Sequence, residues 1–285
     1  TAVHGTAEFD KEEVKDVFTV ISDIYFRTYC ERFDTNKDGK LSPAEAKAVT
    51  KIDLRIGNVK NVASLAGIEY FPSLTQLYCG SNQLTALDLS KNTELVELYC
   101  SENRLTSLDV SKNTKLTALN CASNRLASLS INNNTELLEL YCSSNSLTTL
   151  NVSNNVKLTL LYCASNSLTS LDLSKNSELK YLSCIGNKLT GLSLSSNYLL
   201  NTVYCSGNQL TSLDMSRNTL LLRLDCSANR LSALDISICT NMLELKCNSN
   251  PSLYQIKVWK GFNTVTPLSS IASITKDSQS SFVTI

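Results

Sequence analysis

The chain has 285 residues, and its 26 acidic residues balance 26 basic ones, so no net field draws it to nucleic acid or to an anionic membrane. It lacks any apolar run of about 18 residues or more, so it offers no candidate for a membrane-spanning helix. Length alone allows one large domain or two smaller ones.

Residues 1–8 read as a tail and hold His4, the only histidine; the chain begins at Thr1 without a methionine, as it would if a targeting segment had been removed. From Phe9 the pattern turns helical. Asp10 and Glu13 suggest a capping box, and Phe9 with Val14 a hydrophobic staple. Val14, Val17, Phe18, Ile21, Ile24, Tyr25, Tyr29 and Phe33 follow helical spacing, which predicts one apolar stripe over about six turns.

The text then reads DTNKDGKLSPAE over residues 34–45. This matches D-x-[DN]-x-[DN]-G-x5-E at Asp34, Asn36, Asp38, Gly39 and Glu45. A hard cation takes six to eight oxygens, and a loop of this length presents them at alternate positions. Asp34, Asn36 and Asp38 supply side-chain oxygens, Lys40 its carbonyl, Ser42 a direct or water-borne oxygen, and Glu45 two more. Gly39 permits the sharp turn. The stretch resembles an EF-hand, which implies Ca2+ held by Asp34, Asn36, Asp38, Lys40, Ser42 and Glu45. A lone hand of this kind implies a weak, structural site. The alternative is a turn that only caps the next helix, because Ser42 and Glu45 also spell a capping box.

Residues 51–73 form an irregular first coil. Ile52, Leu54 and Ile56 alternate as a strand, Asn58 occupies an asparagine place, and Ala66 to Phe71 suggests a short helical turn. From Leu74 to about Asn250 the text is periodic. Cys79, Cys100, Cys121, Cys142, Cys163, Cys184, Cys205, Cys226 and Cys247 recur every 21 residues. Such a period signals a solenoid. Leu77 and Cys79 alternate with Gln76, Tyr78 and Gly80, so the first pair points inward and the others outward. Leu87 and Leu89 predict a second short strand. One coil buries too little apolar surface to offset the entropy of ordering it, so coils must stack.

The unit L-x-x-L-x-C-x-x-N-x-L-T-x-L-D-L-S-x-N is similar to the leucine-rich repeats of bacterial surface and secreted proteins, with internalins as longer-period relatives. The resemblance covers about two thirds of the chain. It implies a right-handed α+β solenoid of short parallel strands, an extracellular or cell-surface setting, a recognition role and a monomer. The expected organisation is a helical EF-hand-like module over 1–50, the solenoid over 51–250 and a C-terminal cap over 251–285. Trp259 is expected to fold over the last coil, with a final strand in 281–285.

Nine cysteines take inward places in successive coils, where parallel Cα–Cβ vectors suit packing and oppose bridging. Cys30 and Cys239 lie too far apart to pair, so free thiols are expected. Two asparagine columns, headed by Asn82 and Asn92, are expected to satisfy turn backbone groups.

Outward places of the first strand form the candidate ligand face. Tyr78, Tyr99, Tyr141, Tyr162 and Tyr204 share one column, with Tyr181 in the neighbouring one. Small flanks such as Gly80, Ser101 and Ala122 are expected to leave the rings exposed to a protein or glycan. The alternative is that Tyr suits a pleated surface and stacks on its like. Asp88, Asp109, Asp172, Asp214 and Asp235 line another column; a glycosidase reading exists, but solvated charge explains them better. No phosphate or dinucleotide motif occurs, and one terminal histidine cannot build a triad. The expected function is non-enzymatic recognition, with a structural envelope spacer as the alternative.

Overall fold

The computed structural model describes residues 15–56, 59–262 and 273–285. Strands β1 (Lys51–Asp53), β2 (Gln76–Tyr78), β3 (Glu97–Tyr99), β4 (Ala118–Asn120), β5 (Glu139–Tyr141) and β6 (Leu160–Tyr162) follow one another at the same place in successive coils. They continue as β7 (Tyr181–Ser183), β8 (Thr202–Tyr204), β9 (Arg223–Asp225), β11 (Glu244–Lys246) and β13 (Ser273–Thr275), giving an 11-stranded sheet. Every pairing in it is parallel. The repeat length sets the register, stacking Gln76 on Glu97, Leu77 on Leu98 and Tyr78 on Tyr99. Like therefore sits over like, and Leu77, Leu98 and the nine periodic cysteines are fully buried.

The expected second strand forms only at the C-terminal end, as β10 (Ala233–Asp235), β12 (Gln255–Val258) and β14 (Ser281–Thr284). Elsewhere among the described residues it is reduced to isolated bridges, such as Asp109 with Ser130. The outward Asp of this stretch bends the backbone: the Asp88 carboxylate accepts the Ser90 N–H at 2.9 Å, a local turn that competes with a ladder. Leu89 still packs inward.

The asparagines close the turns. Asn103 donates from Nδ2 to the carbonyls of Cys79 and Cys100, and its Oδ1 accepts from Leu84 N–H at 2.9 Å. In the second column, Asn113 donates to the carbonyls of Leu89 and Asn92. Ser81, Glu102, Ser123 and their equivalents precede the first column with left-handed backbone (φ 53–56° in these three). Between those turns runs one continuous core from Val17 to Val258.

The N-terminal segment departs from expectation. Residues 17–19 form a 3-10 turn, Asp23 is extended, and helix α1 covers only Ile24–Cys30. Two aspartates divide what the apolar spacing reads as one helix. Asp16 accepts from Phe18 N–H, and Asp23 accepts from Tyr25 and Phe26 N–H, each starting a new turn at itself. The stripe shifts with them: Phe26 is buried, while Ile24 and Tyr25 are 63% and 48% exposed. Phe9, Asp10, Glu13, Val14 and His4 lie outside the described residues.

This segment covers the first coil. The Tyr29 hydroxyl accepts from Asp53 N–H at 2.7 Å, sealing the edge of β1, and Phe26 and Phe33 pack on Phe71. Asp23 Oδ2 accepts from Ala63 N–H at 2.7 Å. Gly67 sits at φ +97° with space for a Cβ only 2.6 Å from Ile21 Cγ1. Ile52 and Leu54 point inward as expected; Ile56 does not, being 56% exposed in a turn closed by its N–H to the Asp53 carbonyl. Asn58 falls outside the described residues. The short turn expected near residues 66–71 is a 3-10 helix at Ile68–Tyr70.

At the other end, Asp277 accepts from Ser249 and Asn250 N–H at 2.9 Å each, doing what the carbonyls of the next coil do elsewhere. Trp259, Phe262 and Phe282 pack on one another there, against the core.

Candidate functional site

The sheet places all six tyrosines on its outward side, but not as free-standing rings. Tyr78 is only 8% exposed, and Tyr99, Tyr141, Tyr162, Tyr181 and Tyr204 are half-buried. The small flanking residues do not free them because each ring leans on a ring of an adjacent coil instead. Tyr78 stacks on Tyr99 at 5.1 Å, Tyr141 on Tyr162 at 5.0 Å, and Tyr162 on Tyr181 at 4.5 Å. Tyr181 then meets Tyr204 edge-on at 5.7 Å. Rungs about 4.8 Å apart impose this spacing.

Carboxylates accompany the rings. The Tyr78 hydroxyl donates to Glu97, and the Tyr141 hydroxyl to Glu139 at 3.1 Å. Burial first, and the bond to Glu97 second, push the Tyr78 phenol up to about 12. Burial followed by Glu139 raises Tyr141, and burial followed by the bond to Tyr162 raises Tyr181. At neutral pH these phenols are protonated donors. Sequence reasoning missed Arg55, whose guanidinium lies 3.9 Å from the Tyr78 ring centroid and forks onto Asp53 with two bonds of 2.8 Å. Its position outside the periodic text gave no signal.

The acidic loop runs between the 3-10 turn at Glu31–Phe33 and helix α2 (Pro43–Ala48). Lys37 and Gly39 take left-handed backbone at φ 60° and 81°, folding the loop back on itself. Asp34 accepts from Asp38 and Gly39 N–H, Asn36 Oδ1 from Asp38 N–H, and Asp38 Oδ1 from Lys40 N–H. Glu45 accepts from Ser42 N–H and Oγ through Oε2, and from Thr35 N–H and Oγ through Oε1. The Ser42 side-chain bond leads the causes that lower Glu45 to about 2. The capping box is thus formed. Leu41, the apolar position, gives its carbonyl to Val17 N–H and its own N–H to Asp16.

Among the described residues, no three His, Cys, Asp or Glu side chains group closely enough to hold a metal ion as placed. The donor chemistry, with three carboxylates, an amide, a hydroxyl and a carbonyl on one loop, nonetheless suits a hard cation. The side-chain oxygens among them bond the loop's own N–H groups here.

The aspartate column is exposed. Asp88, Asp109, Asp172, Asp214 and Asp235 each accept from the N–H of the serine two residues on, at 2.8–3.0 Å. Bonds to those serines hold their pKa values below the usual carboxylate range. A glycosidase acid needs a raised carboxyl, and none of these five has one.

All eleven cysteines are buried, unbridged thiols. Burial raises Cys79, Cys121 and Cys184 to about 12. They are packing groups.

No known protein-family profile matches the chain, and no curated protein matches it by sequence. Solved structures do. The functional domain of InlJ from Listeria monocytogenes, described as including a cysteine ladder, is 27% identical over 94% of this chain and 72% of its own, with a TM-score of 0.56. An internalin, InlF, from the same species is 17% identical over 94% of this chain and 96% of its own, with a TM-score of 0.68. A leucine-rich-repeat protein of Leptospira interrogans is 22% identical over 76% of this chain and 64% of its own, with a TM-score of 0.64. The chain folds as a leucine-rich-repeat solenoid with few helices. Among the described residues, no helix is long and apolar enough to cross a membrane.

Proposed function

We propose that this protein is a non-enzymatic recognition module, secreted or held at a bacterial cell surface, that binds its ligand through the tyrosine-lined sheet. The observation that carries the reading is the run of half-buried phenols along one side of a rigid stack, with burial raising the pKa values of Tyr141 and Tyr181. Half-buried Tyr offers contact area with little rotamer freedom left to lose. Between a protein and a glycan, the stacking favours the protein. Sugars pack on open ring faces, and here most faces already meet another ring. Edges and hydroxyls remain, which suit a protein's polar and cationic groups.

Calcium at Asp34, Asn36, Asp38, Lys40, Ser42 and Glu45 belongs to the same proposal, as a clamp on the N-terminal cap. The Leu41 bonds to residues 16 and 17 mean that ordering this loop also orders the segment covering the first coil. A bound ion supplies charge neutralisation there; the chain supplies the oxygens.

The test is a screen of protein and glycan arrays with wild type and with Tyr99→Ala, Tyr141→Ala, Tyr162→Ala combined. A ligand lost in the triple variant supports the face; one bound equally by both removes it. Calorimetry should show calcium binding weakened by Glu45→Gln, and no heat up to millimolar calcium would end that part. The stack also stiffens the sheet, which favours the envelope-spacer alternative; a folded triple variant that melts earlier while the wild type binds nothing on either array would establish it.

A further inference from the structure

The aromatic stack is broken in two places, and only one break is filled. The tyrosine column is interrupted by Ser183 in β7 and by Asn120 in β4. At Ser183 the neighbouring column supplies Tyr181, which stacks on Tyr162 at 4.5 Å and meets Tyr204 at 5.7 Å. At Asn120 the neighbouring residue is Ala118, which has no ring to insert and is only 8% exposed beneath its neighbours. Tyr99 and Tyr141 therefore stand two rungs apart, about 9.6 Å, with the Asn120 side chain and no ring between them, its Oδ1 turned back to accept from Ala122 N–H. A planar group midway would stand about 5 Å from each. That is the spacing the rest of the stack keeps, at 4.5–5.1 Å.

Charge says what kind of planar group. Glu97 and Glu139 flank Ala118 in register, and among the described residues neither is in a salt bridge. Both are half-buried. The molecule shows the matching arrangement at the first rung. There Arg55 covers the end ring of the stack, 3.9 Å from the Tyr78 centroid, while its guanidinium forks onto Asp53. A ring face beside a carboxylate suits a guanidinium best, because it stacks and forks at once, whereas the Lys51 ammonium at the same place stands farther off, 5.0 Å from the Tyr78 centroid and 3.8 Å from Asp53, as a point charge.

We propose that the break at Asn120 is the seat for an arginine from a protein partner, lying between Tyr99 and Tyr141 and paired with Glu139. This rests on the reading of the sheet as the recognition face. The stack thus carries an arginine of its own, Arg55, on its end ring and takes a foreign one at its middle.

The probe is the peptide acetyl-Gly-Arg-Gly-amide, titrated at constant ionic strength and followed by NMR at the Asn120 side-chain amide and, in every variant, at the backbone amides of Tyr99 and Tyr141. Saturable shifts there are expected, about tenfold weaker with the lysine peptide and in Glu139→Gln, and absent with the citrulline peptide. Asn120→Tyr should abolish binding by completing the stack. If that variant misfolds, Ala118→Tyr plugs the break from the next column as Tyr181 does at Ser183. No shift at Asn120, equal binding of the lysine peptide, or unchanged binding in both filled variants overturns the proposal. An array ligand lost in the triple Tyr variant but kept in Asn120→Tyr refutes this seat and leaves the recognition face standing. A ligand indifferent to both refutes the face itself.

Discussion

The two asparagine columns look alike in the sequence, yet the structure gives them different duties, and paired substitutions separate them. Asn166 Oδ1 accepts from Leu147 N–H at 3.0 Å, the only acceptor that buried donor has among the described residues. Its Nδ2 donates to the carbonyls of Cys142, Cys163 and Ala164 at 3.0–3.2 Å. Asn166→Ala therefore orphans an N–H inside the coil, at about 1–3 kcal/mol, and loses bonds to carbonyls as well; we expect about 3 kcal/mol in all. Asn176 donates to the carbonyls of Val152 and Asn155, but each keeps a backbone donor, from Asn155 and Leu158 respectively. The Asn176 Oδ1 is buried with no partner among the described residues, so its removal relieves a desolvated acceptor. Asn176→Ala should cost about 1 kcal/mol. The chain makes a related exchange itself: Cys239 stands in the second column, its thiol 3.7 Å from the Asn218 carbonyl. Urea unfolding followed by far-ultraviolet circular dichroism gives both values. Equal destabilisation, or a larger loss at Asn176, would refute the assignment of duties.

Three further outcomes follow from local geometry. Glu45 is lowered in the folded chain to about 2, chiefly by Ser42. Its contribution is thus present above its unfolded pKa of about 4.3 and is lost as pH falls toward 2, so Glu45→Gln without calcium should flatten acid unfolding of the cap in that window; an unchanged acid titration of the cap would contradict this. Ellman's reagent at pH 8 should label no thiol until the chain unfolds, since all eleven are buried, and rapid native labelling of several would rule out the packed file. Gly67→Ala forces a Cβ to within 2.6 Å of Ile21 Cγ1 at φ +97°; a loss of about 2–4 kcal/mol in thermal or urea unfolding is expected, and a neutral effect would mean the cap does not dock there.

The solenoid was legible because one period repeated Leu77, Cys79 and Asn82 until their faces were unmistakable. Inward and outward positions follow from alternation alone, and the buried cysteine file agrees with it. The N-terminal segment was not legible, because apolar spacing carries no notice that Asp16 and Asp23 each accept nearby N–H groups and restart the turn. Ile56 failed for a similar reason: alternation runs on past Asp53, whereas the backbone turns back onto the Asp53 carbonyl. At the candidate face the columns were readable but the tilt of the rings was not. Tilt depends on what stands one coil away, which is why Ala118 beside Asn120 means something different from Tyr181 beside Ser183.

Stacking also bears on whether a partly buried surface can recognise anything. A free Tyr on a flat sheet loses side-chain freedom when a ligand fixes it, a cost of about 0.5–1.5 kcal/mol for each ordered side chain. Rings already held between neighbours have met that cost in folding, so contact with their edges keeps more of its favourable energy. The same restraint limits what the sheet can accept. Ring faces taken by Tyr99, Tyr162 and Tyr181 are closed to sugars and to apolar wedges alike. If the sheet is the recognition face proposed above, selectivity concentrates where the stack is discontinuous. A substitution that extends the stack should narrow the ligand range more than one that shortens it, because Tyr in place of Asn120 closes the proposed seat whereas Ala in place of Tyr162 bares the ring faces of Tyr141 and Tyr181.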